Sequence, residues 1–235
     1  ERAPNLSRLA AMFDNLSYWI ASRILLTNNE QRRVLLLEKF VNLLVKLHQL
    51  NNFDTMMSVM CGLSINPVFR IRNTWKMISP SSTENFNFID TLMSPLHNYS
   101  AYRQHLGRLS DTSSGRHSPK RVRPAIPYVG VVLKDITFIN ENIKNSVGST
   151  SSTRLGGLTN LGSKIAELLR YQETPFDFSC DEVLFNFCFH IKSMYTAEEL
   201  YHMSLAIKPA GGSVAEGDSK LGGLVKMVRT KSAKA

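Results

Sequence analysis

Residues 127–143 read PYVGVVLKDITFINENI, and the state of this stretch decides what the rest of the chain can be. Propensity alone leaves it open. Val129, Val131, Val132, Ile136, Thr137 and Ile139 are β-branched and fit a pleated strand. Helical phasing fits as well, because Val132, Ile136, Ile139 and Ile143 fall on one face. Gly130, Lys134, Thr137 and Glu141 then share another face. A helix of that kind can lean its apolar face on a scaffold and turn its polar face to a partner.

Outward from this stretch the patterns are helical. Leu9, Met12, Phe13, Leu16, Trp19, Ile20 and Ile24 keep helical register and predict a helix over Arg8–Leu25. Thr27 with Glu30 three residues later reads as a capping box opening the next helix, which runs through Leu36, Phe40, Leu44 and Leu47 until Asn51-Asn52. A Met-rich helix with Met56, Met57, Met60 and Leu63 ends near Pro67. Similar boxes start at Ser81, Ser179 and Thr196, and repeated caps ahead of apolar helical runs predict an all-α domain. Ser110–Arg123 reads as a polar, basic loop and Asn145–Gly157 as a Ser/Gly/Thr-rich break. A helix is expected from Leu158 to Gln172, two more over Ser179–Ile207, and a disordered tail after Pro209.

At 235 residues the chain suits one large domain with a tail, and no window offers the roughly 18 apolar residues of a membrane span. No charged-then-apolar leader follows Glu1, and the non-Met start predicts a piece of something longer. Cys61, Cys180 and Cys188 are too few and too irregular for a disulfide framework and predict buried, reduced thiols. The net charge of +9 invites nucleic acid or membrane as partner. Its basic residues cluster in 116–123 and 220–234, neither of which carries the aromatics that stack on bases, so nucleic acid is not expected. A weak contact of these segments with an anionic membrane is.

Two strings resemble sites and fail as such. Gly157–Lys164 has a glycine spacing like a phosphate loop, but Ser163 precedes Lys164 where the loop needs the reverse order. Cys188 and His190 lack the remainder of a tetrahedral metal set.

The wording of 127–143 closely resembles the segment that opens the helical hairpin of the Cdc25-homology (RasGEF) domain, the catalytic module of Ras-family guanine-nucleotide exchange factors. Five further anchors follow that family's order: Phe13–Trp19, Leu50–Phe53, Arg70–Trp75, Asn98–Arg103 and Tyr171–Phe176. The likeness spans about Pro4 to Pro209. It implies a mainly α fold, a helical bowl with a protruding hairpin at about 128–173; the basic insert at 110–123 is longer than the family's connection, and the tail at 210–235 lies beyond the likeness. It also implies that the family's N-terminal helices are missing. Where the hairpin's second helix carries a basic cluster in the family, Gly156–Asn160 stands here.

The same resemblance implies an exchange catalyst without covalent chemistry and without a cofactor of its own. Magnesium and guanine nucleotide belong to the partner, a Ras- or Rap-type GTPase met at the cytoplasmic face of a membrane. Thr137 and Glu141 match the positions that approach the partner's magnesium site and phosphate loop. Tyr128, Tyr99, Met57, Ser64 and Leu9 match partner-binding positions, while Arg70, Trp75 and Arg103 are expected to be structural. Two rival readings remain: a scaffold that holds the GTPase without exchanging it, and a basic helical module for anionic lipid or nucleic acid.

Overall fold

Helices account for every regular element among the residues that the computed structural model describes, namely 3–110, 123–145, 151–193 and 195–209. In chain order they are α1 (Pro4–Leu25), α2 (Glu30–Gln49), α3 (Phe53–Ser64), α4 (Asn66–Phe69), α5 (Arg72–Lys76) and α6 (Pro80–Leu92). A 3-10 turn (Leu96–Asn98) leads into α7 (Ser100–Ser110), followed by α8 (Val129–Asn145), α9 (Ser151–Arg170), α10 (Glu182–Phe189) and α11 (Ala197–Ile207). The expected mainly α class is therefore what the chain adopts. None of these helices is long and apolar enough to cross a membrane.

The chain divides into two compact units. The first gathers residues up to Gln49, Thr55–Tyr102 and those from Ser179 onward; the second holds Leu50–Asp54 and Arg103–Phe178. In the first unit α2 packs on α5 and α6, while α1 meets α2, α4 and α11. Its core is mostly apolar: Ile20, Ile24, Leu37, Leu44, Met56, Met60 and Leu63 are all fully buried. Small residues let α1 and α3 approach closely. The Ser17 hydroxyl donates to the carbonyls of Phe13 and Ser58, and Ser58 donates to Phe13 at 2.7 Å. A Cβ added to Gly62 would stand 2.6 Å from the Ser17 carbonyl oxygen, so only glycine fits there.

The guanidinium of Arg70 donates to the Lys208 carbonyl at 2.7 Å and to the Ser204 hydroxyl. Trp75 donates its ring N–H to the Val68 carbonyl and lies against Phe86. Both are structural roles, as expected. The second unit is dominated by α8 and α9, which pack along one another.

Several local expectations need correction. Helix α1 starts at Pro4, not Arg8, because proline at the first helical position loses no hydrogen bond. Thr27 does not open α2; its hydroxyl turns back to the Arg23 carbonyl, and Asn29 caps α2 by accepting the Arg32 N–H. Ser79 caps α6 in place of Ser81, and Asp181 caps α10 in place of Ser179. The Thr196 box is formed in full with Glu199. Helix α9 begins at Ser151, so part of the stretch expected to break, through Gly157, is helical. The Gly157–Lys164 string lies within that helix. Cys61 is half-buried and Cys180 and Cys188 are exposed, and none of the three is in a disulfide. Most of the expected basic loop and the tail from residue 210 lie outside the described residues.

Candidate functional site

The stretch at 127–143 settles as a helix because its start is fixed on three sides. Ile126 is laced between Asn51 of the α2–α3 turn and Phe53, the first residue of α3: its N–H donates to the Asn51 carbonyl and its carbonyl accepts from the Phe53 N–H. The Asn51 amide reaches the Pro124 carbonyl, and Asn51 itself is left-handed, with φ of 56°. Asp54 then accepts the N–H of Val129, the first residue of α8, at 3.0 Å. A carboxylate at a helix N-terminus satisfies a free donor and faces the positive end of the dipole. Burial pushes the Asp54 carboxyl above its ordinary value, and the Val129 N–H offsets part of that.

Tyr128, half-buried, precedes α8 directly. Its ring lies over Gly130: a Cβ there would meet the phenol at 2.5 Å. Gly130 is thus what lets the aromatic lie flat on the first turn.

Midway along α8, Asp135 accepts two hydrogen bonds from Arg103 of α7, each 2.7 Å, with Lys164 of α9 at 3.9 Å. One carboxylate therefore ties three helices, and its bidentate pairing with a planar guanidinium fixes orientation as well as distance. The expectation for Arg103 holds, and Asp135 is the partner it needed. Further along, Ile143 packs where a Cβ on Gly157 would stand, 2.6 Å from its side chain. The glycine there lets α8 and α9 close up.

The solvent side of α8 carries Thr137 and Glu141. The Thr137 hydroxyl is turned back to the Leu133 carbonyl at 2.8 Å, so it offers a methyl and an acceptor lone pair outward. Glu141 pairs with Lys144 at 2.9 Å; both side chains are more than half exposed, and such a pair is weak enough to exchange for a better one. Phe138 stands 67% exposed beside them, a large aromatic facing water. Neither Phe138 nor Lys144 belongs to the two faces that the sequence pattern picks out. Helical register would have found Phe138, which is three residues from Glu141 and four from Lys134.

In the first unit the matched positions are mostly interior. Met57 is 3% exposed and Tyr99 4%; Leu9 on α1 is half-buried. Ser64 ends α3 with its hydroxyl buried and without a hydrogen-bond partner among the described residues. Tyr99 closes a run of three left-handed residues, His97, Asn98 and Tyr99, with φ of 49°, 58° and 60°. Burial and the nearby Cys61 push its phenol pKa up. The structure so divides the seven candidates: Leu9, Met57, Ser64 and Tyr99 in the first unit, Tyr128, Thr137 and Glu141 in the second.

Comparison with known proteins agrees with this architecture. The RasGEF domain family matches residues 1–162 of the 235. The chain belongs to the RasGEF domain family. It is similar to the Ras guanine nucleotide exchange factor S of Dictyostelium discoideum, 29% identical over 216 residues, covering 88% of this chain and 20% of that protein. The Ras guanine nucleotide exchange factor A of the same organism is 26% identical over 220 residues, 88% of this chain and 34% of that protein. The human Rap guanine nucleotide exchange factor 1 is 28% identical over 211 residues, 89% of this chain and 18% of that protein. This RasGEF domain thus spans between about a fifth and about a third of the length of these relatives.

Proposed function

We propose that this RasGEF domain promotes release of guanine nucleotide from a Ras-family GTPase, of Ras or Rap type, through the outward face of α8. The supporting observation is a surface with three different chemistries on a helix whose base is pinned by hydrogen bonds. Phe138 offers apolar area, Thr137 a small acceptor, and Glu141 a carboxylate that needs only to leave an exposed lysine. Beside a bound nucleotide, that carboxylate competes with phosphate for the GTPase's lysine and backbone N–H groups. Tyr128 anchors the GTPase at the base of α8; in the first unit Leu9 is the accessible member of the matched set, while Met57, Ser64 and Tyr99 support that surface from beneath.

No bond is made or broken in this reading. The domain binds nucleotide-free GTPase better than loaded GTPase, so by linkage nucleotide binding weakens by the same factor. An acceleration of ~10⁴-fold corresponds to about 5.5 kcal/mol of differential stabilisation. Magnesium and nucleotide remain the partner's, and the domain carries no cofactor. The site of action we assign is the cytoplasmic face of a membrane, where basic segments add weak attraction to anionic lipid.

Release of a fluorescent guanine nucleotide from a panel of Ras- and Rap-type GTPases tests the reading. Acceleration is expected for at least one member. Binding to nucleotide-free GTPase with unaccelerated release across the panel would instead identify a scaffold.

A further inference from the structure

Helices α1, α2 and α10 of the first unit wall a cavity of about 600 Å³ that the proposed exchange reaction does not use. Its floor is aromatic. Trp19 lies edge-on between Phe40, at 6.3 Å, and Phe187, at 6.2 Å. Leu36 and Leu43 of α2 complete the apolar lining, and the polar groups that line it are Arg23 and Lys39. Among the described residues neither cation has an acidic partner. An aromatic floor with two uncompensated cations asks for an occupant that is apolar along its centre and acidic at its edges.

The sequence of α2 indicates the occupant's shape. Arg32, Lys39 and Lys46 are exposed and recur every seven residues; Leu36 and Leu43 recur at the same interval between them. Seven residues are two helical turns, the period with which one helix reads another. An extended peptide or a small molecule has no use for such a repeat. The wall is also long on its other side. Every residue of α10 is exposed, including Val183, Leu184, Phe185, Phe187 and Phe189, and Phe187 among them lines the cavity. A surface of this kind is an interaction site more often than an accident of composition.

We propose that this groove docks an acidic amphipathic helix from a partner protein. An apolar stripe of that helix seats on Trp19, Leu36 and Leu43, and its Asp or Glu side chains flank Arg23, Lys39 and the Arg32–Lys46 row. This is helix-in-groove recognition, with position set by the apolar anchors and partner choice by the charges.

The probe is a synthetic amphipathic peptide of about four helical turns, with Leu and Phe on one face and Glu along both flanks. Its twin carries Lys at every Glu. Binding to the whole chain is followed by the indole N–H signals of the two tryptophans. Trp75, hydrogen-bonded to Val68 and not part of the groove, serves as the internal control. The acidic peptide is expected to move the Trp19 signal, leave Trp75 in place, and lose affinity as salt is raised. Arg23→Glu with Lys39→Glu should weaken the acidic peptide at least about tenfold and allow the basic twin to bind, while the Trp75 signal reports that the fold is kept. An unmoved Trp19, or equal binding of both peptides to the parent chain, overturns the proposal. Two further outcomes would also overturn it. If vesicles of phosphatidylserine and phosphatidylcholine move Trp19 while the peptide does not, the face is a lipid surface. If the chain self-associates in sedimentation and the double substitution abolishes that, the occupant is a second copy.

Discussion

The α1–α3 interface of the first unit and the α8–α9 pair of the second hold together by different physics. In the former, fully buried apolar side chains surround Ser17, Ser58 and Gly62, and hydroxyls satisfy carbonyls at the closest approach. In the latter, Val131 is the only buried residue of α8, and none of the described side chains of α9 is buried. That pair is held by the Asp54 cap, the Asp135 cluster and the fit of Ile143 at Gly157. An apolar core resists change because every removed methylene leaves a cavity. A helix pair held by a few polar ties can change its surface freely, yet it depends on those ties for direction. A face proposed to meet a GTPase suits the second design.

The largest expected effect follows from that contrast. Met60→Ala empties part of the fully buried α3 core and should cost about 2–5 kcal/mol of unfolding free energy, whereas Leu155→Ala, at an exposed position of α9, should stay within about ±0.5 kcal/mol. Denaturant unfolding of both variants measures the difference. Equal losses would show that α9 is as deeply buried as α3.

Next comes the outward face of α8. Thr137→Arg combined with Glu141→Lys changes two exposed side chains and should leave stability within about ±0.5 kcal/mol. Nucleotide release should slow by roughly 30-fold, the equivalent of ~2 kcal/mol at a contact residue, because added cations attract the phosphates. Release at the parental rate would remove this helix from the mechanism.

These contrasts also show what the chain's residues disclose by themselves. The helical class was legible because apolar periodicity over many turns is a summed signal, and the family was legible because six anchors occur in order. Caps were legible only where no competitor stood nearby. Thr196 and Glu199 close their box, but Thr27, Ser81 and Ser179 each lie within two residues of Asn29, Ser79 or Asp181, which does the capping. A Ser/Thr-x-x-Glu pattern does not say which of two neighbouring oxygens reaches the free N–H. Cys188 is exposed despite its apolar neighbours, because Phe185, Phe187 and Phe189 are themselves exposed. The Asp135 tie joins residues 32 and 29 positions apart, a separation that no local pattern encodes.

A smaller effect should separate direction from stability. Asp135→Asn retains size and loses charge, leaving Arg103 and Lys164 without their shared acid. The hydrogen bonds to a charged group that it weakens are worth roughly 1.5–3 kcal/mol, and partial exposure places the loss at the lower end. If the tie aims α8, nucleotide release should fall further than thermal stability alone explains, and Asp135→Glu should restore part of it. Loss of stability with unchanged release, measured well below the melting temperature, would reduce the cluster to a brace.

The smallest effect concerns the Asp54 cap, and its sign is the reverse of the usual carboxylate. Burial raises the folded-state pKa of Asp54 above that of the unfolded chain, about 4. Between those two values the folded chain holds the proton more often than the unfolded one. Stability from this group is therefore present below the unfolded value and lost as pH rises through the folded one. Ionised Asp54 is thus a cost to the fold at neutral pH, even though its oxygen satisfies Val129. Asn keeps an oxygen able to accept that N–H and carries no charge to desolvate. Asp54→Asn should accordingly equal or slightly exceed the parent in stability at neutral pH, and the variant's stability should decline less across that interval. Melting temperatures of both proteins, stepped from just below pH 4 towards neutrality, measure this directly. A parent stabilised by rising pH through this window, with the gain lost in Asp54→Asn, would mean that attraction to the α8 N-terminus outweighs burial and that the charge itself holds the helix.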